Sequence, residues 1–237
     1  MEKREKLYEG KAKIIYSTDE PDKVIMFFKD SATAFDAIKK ADVEGKGTIN
    51  NTLASFFFEL LKEKGIPTHY IKKISDREML TYKVEIIPVE VVVRNLAAGS
   101  IVKRLGIPEK TPFNPPLVEF FLKNDELHDP MLCEAHIYTL KLATPEEVQK
   151  MKELALKIND ILKEFMDKHG IILVDFKLEF GRKDGEIVLA DEISPDTCRF
   201  WDKETGEKLD KDRFRFDLGD LIEGYQKILN KIKGETQ

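Results

Sequence analysis

Two periodicities run along the chain, one of three to four residues and one of two. Apolar side chains at Val148, Met151, Ala155, Ile158, Leu162 and Phe165 predict a helix over 145–169 with a single buried stripe. Pro145 suits its N1 position and Gly170 its end. A second helix is expected from Thr48, read as its N-cap, to Lys64, with Leu53, Phe57, Leu60 and Leu61 inward and Gly65 at C′. A last helix is expected over 217–231 and a short one over 101–105. Strand period governs 171–180 and 186–193, a hairpin turning at Lys183-Asp184-Gly185. Its first strand sets Val174, Phe176, Leu178 and Phe180 on one side and Asp175, Lys177 and Glu179 on the other. Further strands are expected around a turn at Gly10 (7–16) and over 24–28, 69–74, 79–84 and 89–94. Phe113-Asn114-Pro115-Pro116 reads as an extended turn.

The strand-rich part gives way to helix and hairpin near residues 86–88, without repeats or a low-complexity linker. Two small α+β lobes are therefore expected, residues 1–86 and 87–237, with a ligand cleft between them.

Composition narrows the function. The 237 residues carry 39 Lys+Arg against 44 Asp+Glu, a net charge of -5, which argues against a global grip on nucleic acid or an anionic membrane. The charged start MEKREKLYEG lacks a signal core, and no apolar run reaches the ~20 residues of a membrane span. Cys133 and Cys198 are too few and too isolated for a disulfide framework or a zinc site. A cytoplasmic globular protein is expected. Lys and Glu abundance with three Gln leans towards a heat-adapted source. With 31 Lys and only 8 Arg, each arginine invites the question of what needs its planar fork.

Several segments could carry chemistry. Glu179, with Asp191 on the returning strand, could hold Mg²⁺ together with substrate phosphates; a half-exposed strand with a solvated polar face is the other reading. The turn Gly10-Lys11-Ala12-Lys13 could fold over phosphates or be an ordinary hairpin turn. Arg94 ends a buried-looking strand before Gly99-Ser100, where a helix start could present N–H donors to an anion or serve as a plain N-cap. Ser194-Pro195-Asp196-Thr197-Cys198-Arg199 follows the hairpin directly. No metal-ligand spacing of His, no G-x-S-x-G and no Cys/His pair is present, and Cys198 is a poor candidate nucleophile.

Together these segments resemble the SAICAR synthetase family of purine biosynthesis. The resemblance rests on Pro88-Val89-Glu90-Val91-Val92-Val93-Arg94 running to Gly99-Ser100, on Val174-Asp175-Phe176-Lys177-Leu178-Glu179-Phe180-Gly181, and on YEGKAK, GKGTINN, LKNDELHDP, DEISPDTCRFWD and LDKDRFR, and it covers essentially the whole chain. It implies an α+β, two-lobed fold related to ATP-grasp and protein-kinase-like folds. It also implies an ATP-dependent ligase joining L-aspartate to the carboxylate of carboxyaminoimidazole ribonucleotide (CAIR) through an acyl phosphate. Lys11, Lys13 and Lys123 would meet ATP, and Glu179 and Asp191 would hold Mg²⁺. Arg94, Ser100 and Arg199 would take the CAIR phosphate, with Asp196 and the catalytic candidates Asp175 and Lys177 near its base or carboxylate. Asp36, Lys211 and Arg215 would help gather substrate, and a homodimer or other homo-oligomer is expected. A small-molecule kinase or another ATP-dependent ligase would share the Gly turn and the carboxylates but lack the Arg94–Ser100 and Arg199 constellation; a non-catalytic nucleotide-binding regulator would have lost Glu179, Asp191 or Lys177.

Overall fold

The computed structural model describes residues 2–34 and 38–234. A first antiparallel sheet is built from Lys3–Glu9 (β1), Lys13–Thr18 (β2), Lys23–Phe28 (β3), Tyr70–Lys73 (β6) and Glu78–Tyr82 (β7), in the order β1-β2-β3-β7-β6. A small ribbon, Ser31–Ala34 (β4) with Lys39–Asp42 (β5), stands beside it. The second sheet holds Glu85–Leu96 (β8), Pro112–Leu122 (β9), Met131–Leu132 (β10), Ile171–Lys183 (β11) and Glu186–Ala190 (β12), in the order β10-β9-β8-β11-β12. Cys198–Asp202 (β13) also pairs with β11. The helices are Lys46–Glu63 (α1), Ser100–Leu105 (α2), Glu134–Thr139 (α3), Pro145–Lys168 (α4), Asp212–Arg215 (α5) and Leu221–Lys233 (α6).

The long helix α4 follows its pattern. Thr144 and Glu147 close a reciprocal capping box, Pro145 occupies the first turn, and five of the six stripe residues are buried, Phe165 being half-buried. Elsewhere local chemistry shifts the boundaries. Helix α1 begins at Lys46, with Gly45 (φ 85°) rather than Thr48 as its cap. Helix α6 starts only at Leu221, because Asp217 (φ 52°) and Gly219 (φ 118°) take left-handed backbone and Asp220 caps the Glu223 N–H at 3.0 Å. Residues 113–116 belong to β9. The register there slips between Arg94 and Leu96, so Pro115 and Pro116 fall where ladder hydrogen bonds are already missing.

The register between β11 and β13 also slips, between Leu173 and Asp175. This bulge shifts the inward phase by one residue. Ile171 and Leu173 join the main core, and so do Phe176, Leu178 and Phe180. Val174 does not share their face; it packs with Ala98 and Trp201. Bulges re-aim side chains in this way beside functional sites. The polar face of β11 is not solvated either. With β8 on one side and β12 and β13 on the other, Asp175 and Glu179 are each only 3% exposed.

One hydrophobic core serves both sheets. Phe57 of α1 stacks on Phe200 of β13 at 6.2 Å, and Phe56 meets Phe165 of α4 at 5.4 Å. The backbone joins them as well: His69 N–H donates to Leu189 O and Leu189 N–H to Pro67 O.

Candidate active site

Strand β11 divides one edge between two partners. Residues 179–183 pair with β12 and residues 171–176 with β13, and the chain between them (191–197) leaves the sheet beside Lys177, whose N–H donates to Thr197 O at 2.9 Å. Two cavities open at this split. The larger, about 450 Å³, has an apolar end made by Leu7, Ile15, Val24, Met26 and Val84 and a charged end with Lys11, Lys13, Lys123, Glu179 and Asp191. The smaller, about 350 Å³, is lined by Arg94, Asp175, Arg199 and Arg215. Lys11, Glu90, Asp129, Lys177, Asp196, Thr197 and Lys211 line both, so the cavities meet there.

The alternation of β11 and β8 positions the shared wall. Glu179 pairs in register with Glu90, and Lys177 between them donates to both, at 2.7 Å to each. Lys123 adds a third bond, to Glu179 at 2.8 Å. Burial opposes the Lys177 ammonium, but Glu179 and Glu90 outweigh it and hold its pKa well above the usual lysine value. Glu179 is likewise penalised by burial yet stays below the normal carboxylate range because Lys177, Lys123 and Lys13 face it. Glu90 is pushed up, burial there exceeding the pull of Lys177.

Asp191 is not on the returning strand as expected. Strand β12 stops at Ala190, and Asp191 follows in left-handed backbone (φ 58°), a turn that aims its carboxylate at Lys13. Lys13 also donates to Glu192 at 2.8 Å. Burial raises the Asp191 pKa, and the lysines 13, 177 and 123 more than reverse that. Lys11 lies at the rim, donating to Asp125 at 2.7 Å.

In the second cavity Asp175 is clamped between arginines. Arg94 Nη1 donates to it at 2.6 Å and Arg199 Nη1 at 2.9 Å. Arg199 lies against Gly99, where a Cβ would come within 2.4 Å of its Nη2. The side chain of Asp196 is only 4% exposed, paired with Lys46 at 2.6 Å and accepting from Tyr225 at 2.5 Å. Burial depresses the Lys211 pKa, and Arg215 and Lys46 add to this against the pull of Asp196.

The structure thus brings together Lys11, Lys13, Lys123, Glu179 and Asp191 at one end and Arg94, Asp175, Arg199 and Arg215 at the other, with Lys177, Asp196 and Lys211 between. Ser100 lines neither cavity; it is the exposed first residue of α2, whose cap is Gly99. Asp36 lies outside the described residues. Cys198 is buried and its thiol pushed far up by burial, so it has no nucleophilic character.

Sequence reasoning passed over Glu90, Glu192, Lys46 and His69. Glu90 was legible, since it shares the face of Arg94 along β8. Lys46 leaves a subtler sign, a lysine in the first turn of α1, where the helix dipole disfavours it. His69 and Glu192 depend on tertiary contacts.

No group of three or more His, Cys, Asp or Glu side chains in metal-binding arrangement occurs among the described residues. What the chain offers is a pair of hard carboxylates, Glu179 and Asp191, which repel one another and are balanced by lysines. Such a donor set fits Mg²⁺ shared with phosphates, since Mg²⁺ takes few protein ligands in phosphoryl sites.

The SAICAR synthetase family model matches residues 6–232. A phosphoribosylaminoimidazole-succinocarboxamide synthase of Persephonella marina is 82% identical over 98% of both chains. One of Caldanaerobacter subterraneus is 58% identical over 98% of this chain and 99% of its own. Among solved structures, the phosphoribosylaminoimidazole-succinocarboxamide synthase of Ehrlichia chaffeensis superposes with a TM-score of 0.95 at 51% identity, covering 98% of this chain and all of its own. A SAICAR synthetase in complex with ADP superposes at 0.94 with 55% identity over 97% of this chain and 98% of its own.

Proposed function

The chain belongs to the SAICAR synthetase family and is an ATP-dependent ligase of purine biosynthesis, and we propose that its two joined cavities hold ATP and CAIR with their reacting groups meeting at Lys177. The observation that carries this reading is the shared wall. An apolar slot with lysines at one end suits a nucleotide, an arginine-lined chamber suits a phosphorylated ribotide, and Lys177 stands where they join.

The roles follow from position. Lys11, Lys13 and Lys123 neutralise the ATP phosphates. Glu179 and Asp191 would hold Mg²⁺, which would supply charge screening for the phosphates. Arg94 and Arg199 grip the ribotide phosphate, and Ser100, exposed at the start of α2 and outside both cavities, has no part in this reading; Lys211 and Arg215 draw in the anions, and Asp196 faces the imidazole. The CAIR carboxylate oxygen attacks the γ-phosphorus, ADP leaves, and the acyl phosphate accepts the amine of L-aspartate as phosphate departs and the amine loses a proton. Lys177, kept charged by Glu90 and Glu179, stabilises the transferring phosphoryl group at the junction. Asp175 sets the arginines rather than moving a proton. On this division of labour residues 1–86 supply the ATP lobe and 87–237 the CAIR and metal residues together with Lys123, strand β8 carrying across the boundary.

Two further expectations belong to this reading. Exposed Leu127, Met131 and Leu140 offer apolar surface for a homodimer or other homo-oligomer, and two free cysteines suit the reducing cytoplasm. No described helix is long and apolar enough to cross a membrane.

The test is ADP release with MgATP. It should need both CAIR and L-aspartate, with glutamate much poorer because a longer arm misplaces its amine. ADP release without CAIR, or equal rates with glutamate, would refute the proposal.

A further inference from the structure

Four of the chain's eight arginines alternate with three buried carboxylates in one unbroken ladder. Arg104 donates to one oxygen of Glu119, and Arg94 Nε to the other at 2.7 Å. Arg94 Nη1 passes to Asp175 at 2.6 Å, and Arg199 Nη1 shares that carboxylate at 2.9 Å. Arg199 Nε then donates to Asp212 Oδ2 at 2.9 Å, and Arg215 Nη1 ends the ladder on Asp212 Oδ1 at 2.7 Å. Arg94, Asp175, Arg199 and Arg215 line the smaller cavity, whereas Glu119 and Asp212 do not.

We propose that Glu119 and Asp212 are positioning residues for the ribotide phosphate, acting through the arginines they hold, Arg94 and Arg199 above all, with Arg215 also resting on Asp212; the inference rests on the phosphate role given to Arg94 and Arg199 above. Each guanidinium is held on two sides, at Nε by Glu119 or Asp212 and at Nη1 by Asp175. Nη2 of each therefore points in a fixed direction before ligand arrives. For Arg199 that direction is against Gly99, at the entrance to α2. An Arg–phosphate contact depends on the plane of the fork, so fixing the plane beforehand removes the ordering cost from binding.

A competing effect has the opposite sign. The three carboxylates reduce four positive charges to a net of one, so deleting a carboxylate strengthens the raw attraction for an anion. The two effects can be separated by experiment, because charge alone predicts tighter ribotide binding in a carboxylate-deleted variant and positioning predicts weaker binding.

The experiment compares Glu119→Gln, Asp212→Asn and Arg199→Lys with the parent enzyme. KM is measured for CAIR and for ATP, together with inhibition by the CAIR ribonucleoside that lacks the phosphate. Positioning requires the CAIR KM to rise about tenfold in the Glu119 and Asp212 variants, as misplacement of binding groups does. The ATP KM and the ribonucleoside inhibition should hold at parental values, which a general loss of structure would not allow. An unchanged or lower CAIR KM in both variants overturns the proposal, and so does a parallel weakening of ribonucleoside inhibition. If Arg199→Lys also leaves the CAIR KM untouched, the phosphate role of the arginines fails with it. If Arg199→Lys alone raises that KM, only the positioning role of Glu119 and Asp212 fails.

Discussion

Replacing Lys46 by Met tests the buried pair that ties α1 to the loop after β12. The side chains of Lys46 and Asp196 are 1% and 4% exposed, with their charged atoms 2.6 Å apart. At an effective dielectric of about 20, that separation gives about 6 kcal/mol of attraction. Removing both ions from water costs several kcal/mol each, so the intact pair contributes little net stability. Breaking it is another matter. Lys46→Met leaves the Asp196 carboxylate with the Tyr225 hydroxyl and the attraction of Lys211, so the loss falls at the lower end of the about 3–5 kcal/mol that stranding a buried charge costs. Relief of an unfavourable lysine at a helix N-terminus returns only about 0.3–1 kcal/mol, so destabilisation wins. For a chain of this length the melting temperature should fall by roughly 10 °C. The assay is a double-mutant cycle by thermal or urea unfolding with Lys46→Met, Asp196→Asn and the double variant. The double variant should be more stable than the sum of the singles implies, by about 2 kcal/mol or more. Additive losses would refute the argument, because they would mean that the two charges do not depend on each other.

Three further outcomes are expected. Asp191→Asn keeps a residue that tolerates left-handed backbone and leaves Lys13 its bond to Glu192, so it should cost about 1–3 kcal/mol of stability while lowering kcat roughly a hundredfold and raising the Mg²⁺ needed for half-maximal rate; a parental Mg²⁺ titration would remove the residue from the metal site. Gly99→Ala places a Cβ 2.4 Å from Arg199 Nη2 at a φ of 65°, so CAIR KM and melting temperature should both suffer, and a variant with parental CAIR KM would show that Arg199 can stand elsewhere. Burial lowers the His69 pKa from 6.5 to about 4, so the unfolded chain takes up a proton that the folded one refuses; about 3 kcal/mol of stability should be lost as pH falls from 6.5 to 4, and His69→Phe, which keeps a ring against Phe58, should flatten that limb of the plot of melting temperature against pH.

Much of the architecture was written in periodicity. The α4 stripe, the β11–β12 hairpin and strand β3 lie where spacing put them, because each buries one face of a regular element; β1, exposed along its whole length, begins at Lys3, four residues earlier than its pattern suggested. What spacing could not supply was the slip in phase at Val174, which arises in the pairing of β11 with β13, a strand that comes from later in the chain. The site divides along the same line. Lys177, Glu179 and Glu90 share a face by alternation, and so were legible or nearly so. The pairing of Asp191 with Lys13, of Asp196 with Lys46 and of Asp175 with two arginines joins residues 24 to 178 positions apart, and no local pattern encodes such partners. The family resemblance supplied the residues; the geometry supplied their partners.

The aromatic contacts of α1 bear on how the chain comes apart. Its helix is threaded between strands of the first sheet, yet Phe56 and Phe57 lie against Phe165 and Phe200 of the second. A fragment ending at residue 86 would lose the Phe165 and Phe200 cover of those two phenyl rings, and the remainder would be left with the matching hollow. The two parts of the chain, before and after residue 86, are therefore not separable units of folding. Calorimetry should record one heat-absorption peak for the whole chain, and a protease that nicks the strand connection at residues 83–84 should leave two pieces that stay together until both melt.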